Sequence, residues 1–154
     1  MDKTIALEKI IRKELIKINS LATNKNDLLK EMVDILYNND FIISKEEFLS
    51  DVYLREEEGE TGIGQGIAIP HGKSKGVKTT TLAVATLKKP IEWESLDDEK
   101  VKVVIMFAVK DSDVNTTHIL LLQQVAIMLA DDQFLDNLKH ASSPEEIYQL
   151  ITEK

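Results

Sequence analysis

The sequence predicts an α/β fold, a central mixed β-sheet flanked by helices on both faces, in a single domain spanning residues 1–154. Three observations lead there. Helical periodicity occupies both ends of the chain, β-branched and apolar runs occupy its centre, and no repeat, low-complexity tract or linker divides them. At 154 residues and 43% hydrophobic composition, such a domain can build its core without metal or disulfide staples. There is no cysteine, which excludes a disulfide framework, a thiolate zinc site and a cysteine nucleophile.

Element by element, Ile5, Ile10, Ile11, Leu15 and Ile18 recur at helical spacing and predict an amphipathic helix over 4–18. A second helix over 25–38 places Leu28, Leu29, Met32, Ile35 and Leu36 on one face, with Thr23 or Asn24 as its cap. Ser44 followed by Glu47 is a capping-box pattern, opening a third helix to about Glu57 that Gly59 ends. The character then changes. Residues 66–69 and the β-branched run VKTTTLAVATL (77–87) predict strands. VKVVIMFAV (101–109) is apolar almost throughout, as a strand buried on both faces must be, and so calls for helices on both sides. Pro90 and the acidic stretch 92–99 connect the two long strands. Helical pattern returns over 116–130, with Asp113 or Asn115 as cap. Ser143-Pro144-Glu145-Glu146 starts a last helix over 144–152, leaving room for two or three helices after the strands.

Charge narrows the function. A net charge of −8 argues against general nucleic-acid binding, which depends on neutralising phosphates. The N-terminus intersperses charges among its apolar residues, unlike a secretory signal, and no stretch approaches the roughly 20 apolar residues of a transmembrane helix. The expectation is a cytoplasmic protein without direct membrane insertion. Yet Asp and Glu are missing from Thr61 to Lys89, where Lys73, Lys75, Lys78, Lys88 and Lys89 form a positive segment. All six glycines, Gly59 to Gly76, fall around His71 in the same region.

TGIGQG is not a nucleotide-binding loop. Gly72-Lys73-Ser74 lacks the upstream glycine of a P-loop, since Ile67 stands there, and the glycines precede an extended run rather than a helix. Pro70 also opposes helix at Ile69. What the stretch does suit is an anion-handling histidine. Neutral imidazole is nucleophilic near cellular pH, glycine N–H groups are able to cradle an anion, and the local charge would not repel one. His118 lies in the first turn of a predicted helix, where the dipole also favours anions. His140 reads as a helix C-terminal residue. A histidine-pair metal site lacks carboxylate or cysteine at ligand spacing, so neither metal nor cofactor is expected.

LREEEGETGIGQGIAIPHGK, with His118 further along, closely resembles the enzyme IIA domain of the sugar phosphotransferase system, fructose–mannitol type. The resemblance runs essentially the whole chain and is nearest the fructose-like branch; Gln65 departs from the mannitol branch, which can carry glutamate there. It implies a mixed sheet flanked by helices and a phosphotransferase working through a phosphohistidine. His71 would be the phosphoacceptor, taking a phosphoryl group from phospho-HPr and giving it to an enzyme IIB partner, which serves a membrane enzyme IIC. His118 would hydrogen-bond His71 and help hold the phosphoryl group, and Arg55 would supply positive charge. The alternative within the resemblance is a nitrogen-related regulatory IIA protein, a binding switch set by phosphorylation.

Overall fold

A computed structural model of the chain describes residues 7–113 and 117–153, with the side chains of residues 113, 117 and 118 outside that description. Among the described residues, one six-stranded mixed sheet is flanked by five helices. The strands are β1 (Ile11–Ser20), β2 (Gly62–Gly64), β3 (Ile67–Ala68), β4 (His71–Ser74), β5 (Thr81–Ile91) and β6 (Val101–Lys110). The helices are α1 (Lys25–Asn38), α2 (Lys45–Glu58), α3 (Thr117–Leu129), α4 (Asp132–His140) and α5 (Pro144–Thr152).

Strand order is β1-β5-β6-β3-β2, with β4 also paired to β6. β6 is antiparallel to β5 and parallel to β3 and β4, while β1 runs parallel to β5. As its apolar sequence requires, β6 feeds two cores. Ile105, Phe107 and Val109 pack with residues of α3, α4 and α5, whereas Val104, Met106 and Ala108 pack with those of α1 and α2. The expected caps are in place: Asn24 accepts from Asp27 N, Ser44 from Glu47 N and Ser143 from Glu146 N. The proposed cap Asn115 lies outside the described residues, and α4 supplies the third C-terminal helix.

One expectation is overturned. The region assigned to a helix over 4–18 forms, after a short 3-10 turn at Leu7–Lys9, strand β1. Ile11, Leu15 and Ile18 sit at a spacing that also fits a helix, but adjacent Leu15 and Ile16 are both buried and belong to the two opposite cores. Neighbours on opposite faces are a strand arrangement. Two register irregularities against β5 break the simple alternation, which is why the period misleads. The strand over 77–87 is shifted to Thr81–Ile91, placing Pro90 within it, and β2, β4 appear in what read as loop.

β3 and β4 are two parts of one extended path. Ile67 lies opposite Val103 and His71 opposite Phe107, so register is unchanged across the gap. Pro70 interrupts the ladder because it has no N–H, while its carbonyl still accepts from Phe107 N at 3.0 Å. The proline thereby delivers His71 to the sheet in a fixed register.

Candidate functional site

His71 begins β4, 8% exposed, its ring 6.4 Å from that of Phe107. Ring nitrogen Nδ1 lies 3.1 Å from the Ile69 carbonyl. Arg55, in the last turn of α2, directs Nε–H at Nε2 over 3.1 Å and Nη1 at the Gly59 carbonyl over 3.2 Å. A carbonyl only accepts and a guanidinium only donates. Together they select one neutral tautomer: Nδ1 carries the hydrogen and Nε2 the lone pair. Burial lowers the His71 pKa below the ordinary 6.5; the bond to Ile69 opposes this, the Arg55 charge adds to it, Glu56 opposes and Lys73 adds. The result is a neutral imidazole whose Nε2 is nucleophilic and faces a fixed cation.

Behind Arg55, the neighbouring Glu56 is turned inward, its side chain 7% exposed. Its Oε1 pairs with Lys25 Nζ and accepts from Thr61 Oγ1 at 3.0 Å. Thr61 in turn accepts from Trp93 Nε1 at 2.8 Å, and its backbone carbonyl accepts from Ile69 N at 2.9 Å. Lys25 also pairs with Glu94 at 3.0 Å and lies 5.1 Å from the Trp93 ring centroid. Sequence reasoning found Arg55 and His71 and missed this network. Its one local signal was the Arg-Glu pair itself; Lys25 and Trp93 are too distant in sequence to suggest it.

The fold separates what the sequence places side by side in this positive segment. The five lysines do not converge. Leu82 pairs with Phe107, which pairs with His71, so Lys88 and Lys89 lie roughly 20 Å along β5 at strand rise. Lys78 pairs with Asp40 instead, and Lys73 is the lysine that acts on the His71 charge. Three of the six glycines spend their N–H groups within the protein. Gly62 N donates to Glu94 O, Gly64 N to Ser95 Oγ and Gly76 N to Ser74 Oγ.

His118 falls in the first turn of α3, as expected, but its side chain lies outside the described residues. His140 occupies the last turn of α4, its Nδ1 near the Asp136 carbonyl, in the helix-end role expected of it. Among the described residues no group of three or more His, Cys, Asp or Glu could hold a metal ion, and no helix is long and apolar enough to cross a membrane.

Residues 9–154 match the family described as phosphoenolpyruvate-dependent sugar phosphotransferase system, EIIA 2. The chain is 34% identical over 149 residues to the 2-O-alpha-mannosyl-D-glycerate-specific EIIABC component of Escherichia coli K12, covering 96% of this chain but 23% of that protein. It thus spans about a quarter of that relative's length. It is 31% identical over 153 residues to the Escherichia coli K12 nitrogen regulatory protein, covering 99% of this chain and 93% of the relative. The crystal structure of nitrogen regulatory protein IIA-Ntr from Neisseria meningitidis superposes with a TM-score of 0.87 at 26% identity, covering 94% and 98% of the two chains.

Proposed function

Because the chain belongs to the EIIA 2 family of the phosphoenolpyruvate-dependent sugar phosphotransferase system, we propose that its residues 1–154 act as one enzyme IIA phosphocarrier domain with His71 as the phosphorylated residue. HPr is the donor, an enzyme IIB the acceptor and a membrane enzyme IIC the indirect beneficiary. The observation that carries this reading is the neutral tautomer of His71, held at Nδ1 by Ile69 O and met at Nε2 by Arg55.

The chemistry follows from that geometry. Nε2 attacks phosphorus, the Nε2–P bond forms, and the N–P bond of the donor histidine breaks with its electron pair returning to the donor nitrogen. The transition state spreads charge over three phosphoryl oxygens, so the protein contributes positioning and prearranged positive potential. Arg55 Nε–H occupies the lone pair that must react. It therefore has to leave Nε2 as phosphorus arrives, and the phosphoryl oxygens are its natural new acceptors. Nδ1–H stays on Ile69 O throughout, so no proton need leave the ring. His118, in the first turn of α3, is assigned to steadying the phosphoryl group.

Acid-labile label from phosphoenolpyruvate, through enzyme I and HPr, tests the assignment. Wild type is expected to label and His71→Ala not to; equal labelling would refute it. His118→Ala is expected to keep some labelling and to pass phosphate on more slowly.

A regulatory reading has its own support, since the nitrogen regulatory protein is similar over 93% of its length. Transfer from the labelled protein to a IIB cysteine favours uptake; labelling without transfer to any IIB of the same cell favours the switch. The motif suggests a fructose-like system, whereas the 34%-identical relative is named for mannosylglycerate, so the panel of IIB acceptors should include both.

A further inference from the structure

We infer that Glu56 is a positioning residue for this site, fixing the backbone that orients His71 and placing a buried negative charge that supports the ring as it becomes cationic. The inference rests on His71 being the phosphoacceptor. Glu56 Oε1 is held by Lys25 and Thr61, whereas Oε2 is buried with no hydrogen-bond partner among the described residues. A structural ion pair normally satisfies both oxygens, because a buried acceptor without a donor is costly. Here one oxygen of the buried carboxylate has no donor among the described residues.

Two routes lead from that carboxylate to the imidazole. The first is mechanical. Glu56 anchors Thr61, the Thr61 carbonyl accepts from Ile69 N, and the Ile69 carbonyl accepts from His71 Nδ1. Each link fixes the next, ending at the nitrogen that selects the tautomer. The second is electrostatic. When Nε2 bonds to phosphorus while Nδ1 keeps its hydrogen, the ring gains positive charge. Arg55 from α2 and Lys73 from β4 both oppose that charge, Glu56 from α2 favours it, and the side chain of His118 on α3 lies outside the described residues. Arg55 is needed for the phosphoryl oxygens, so a nearby anion restores balance at the ring without removing the cation.

Glu56→Gln keeps the shape and an acceptor for Lys25 and Thr61 but removes the charge. It is expected to slow labelling of His71 by about 10- to 100-fold, the scale known for the loss of a partner behind a metal-ligating histidine. In the unphosphorylated protein, the His71 imidazole titration followed by NMR is expected to move to lower pH than in wild type. The acid limb of the labelling rate should move with it. Loss of a merely structural contact would lower labelling without moving either titration. Glu56→Asp, which restores the charge, should return the limb toward wild type.

Lys25→Met/Glu56→Met removes both charges together, an exchange that buried pairs often tolerate, and should shift the titration in the same direction. An unmoved or raised His71 titration in Glu56→Gln, or in the double variant if the single one does not fold, overturns the inference. The titration needs no donor protein, so its failure is distinct from a failure of His71 to label.

Discussion

Replacing Gly72 with alanine adds one methyl group at a close approach between β4 and α2. Gly72 does not take positive φ, so its need for glycine is a matter of space. A Cβ there would meet Phe48 Cε1 and Val52 Cγ2 at 3.0 Å and the Val52 backbone nitrogen at 3.3 Å. Carbon pairs prefer roughly 3.5–4.0 Å, so Phe48, Val52 or α2 itself must give by a few tenths of an ångström. Phe48 and Val52 are fully buried, which leaves no easy rotamer escape. Overpacking of this kind costs about 1–3 kcal/mol. For a domain of this size, about 2 kcal/mol corresponds to a fall in Tm of about 4–8 °C. Circular dichroism melts of Gly72→Ala, Val52→Ala and the double variant supply the assay. Trimming Val52 removes one of the two side-chain clashes, so the double variant should be more stable than the summed singles predict by about 1 kcal/mol. Because α2 also carries Arg55, Gly72→Ala should label more slowly as well. A Gly72→Ala melt within about 1 °C of wild type, or strictly additive losses, would refute the packing argument.

Arg55→Lys keeps a positive charge but loses the planar donor that reaches Nε2 and the Gly59 carbonyl together; it is expected to reduce labelling rate about 100-fold, the scale for a lost transition-state donor, with little change in melting temperature. A rate within about threefold of wild type would remove Arg55 from the proposed mechanism. The burial-lowered pKa of His71 makes a pH prediction with a definite sign. Since the unfolded chain binds this proton first, His71 contributes nothing to the pH dependence of stability above about 6.5, and stability falls as pH drops from there through the folded value. The labelling rate should accordingly stay level through neutral pH and decline only below the ordinary imidazole range, as read from initial rates against pH. A decline already beginning above pH 7 would contradict the environment described for the ring.

Much of this was legible in the sequence because the signals are local. The caps Asn24, Ser44 and Ser143 act within three residues, and each appears where its pattern predicts. The unbroken apolar run of β6 required cover on both faces whatever provided it. Pro70 before His71 announced an extended presentation, and the motif around it identified the family.

Tertiary structure decided what depends on distant partners. Residues 11–20 become a strand because β5, some 70 positions away, offers a ladder whose irregular register the local period cannot reveal. The glycines are explained by neighbours that sequence cannot supply. Gly62 is pressed against Ser95, Gly72 against α2, and only Gly59, Gly64 and Gly66 take positive φ. The lysines spread apart because strand direction carries Lys88 and Lys89 away from the histidine they neighbour in sequence. Arg55 and His71 each stood out alone, but their shared hydrogen bond, and the Glu56 charge behind it, exist only where α2 crosses the end of β4. Local geometry fixes which elements a segment is able to form, whereas pairing and burial between distant segments choose among them and set the charge each side chain meets.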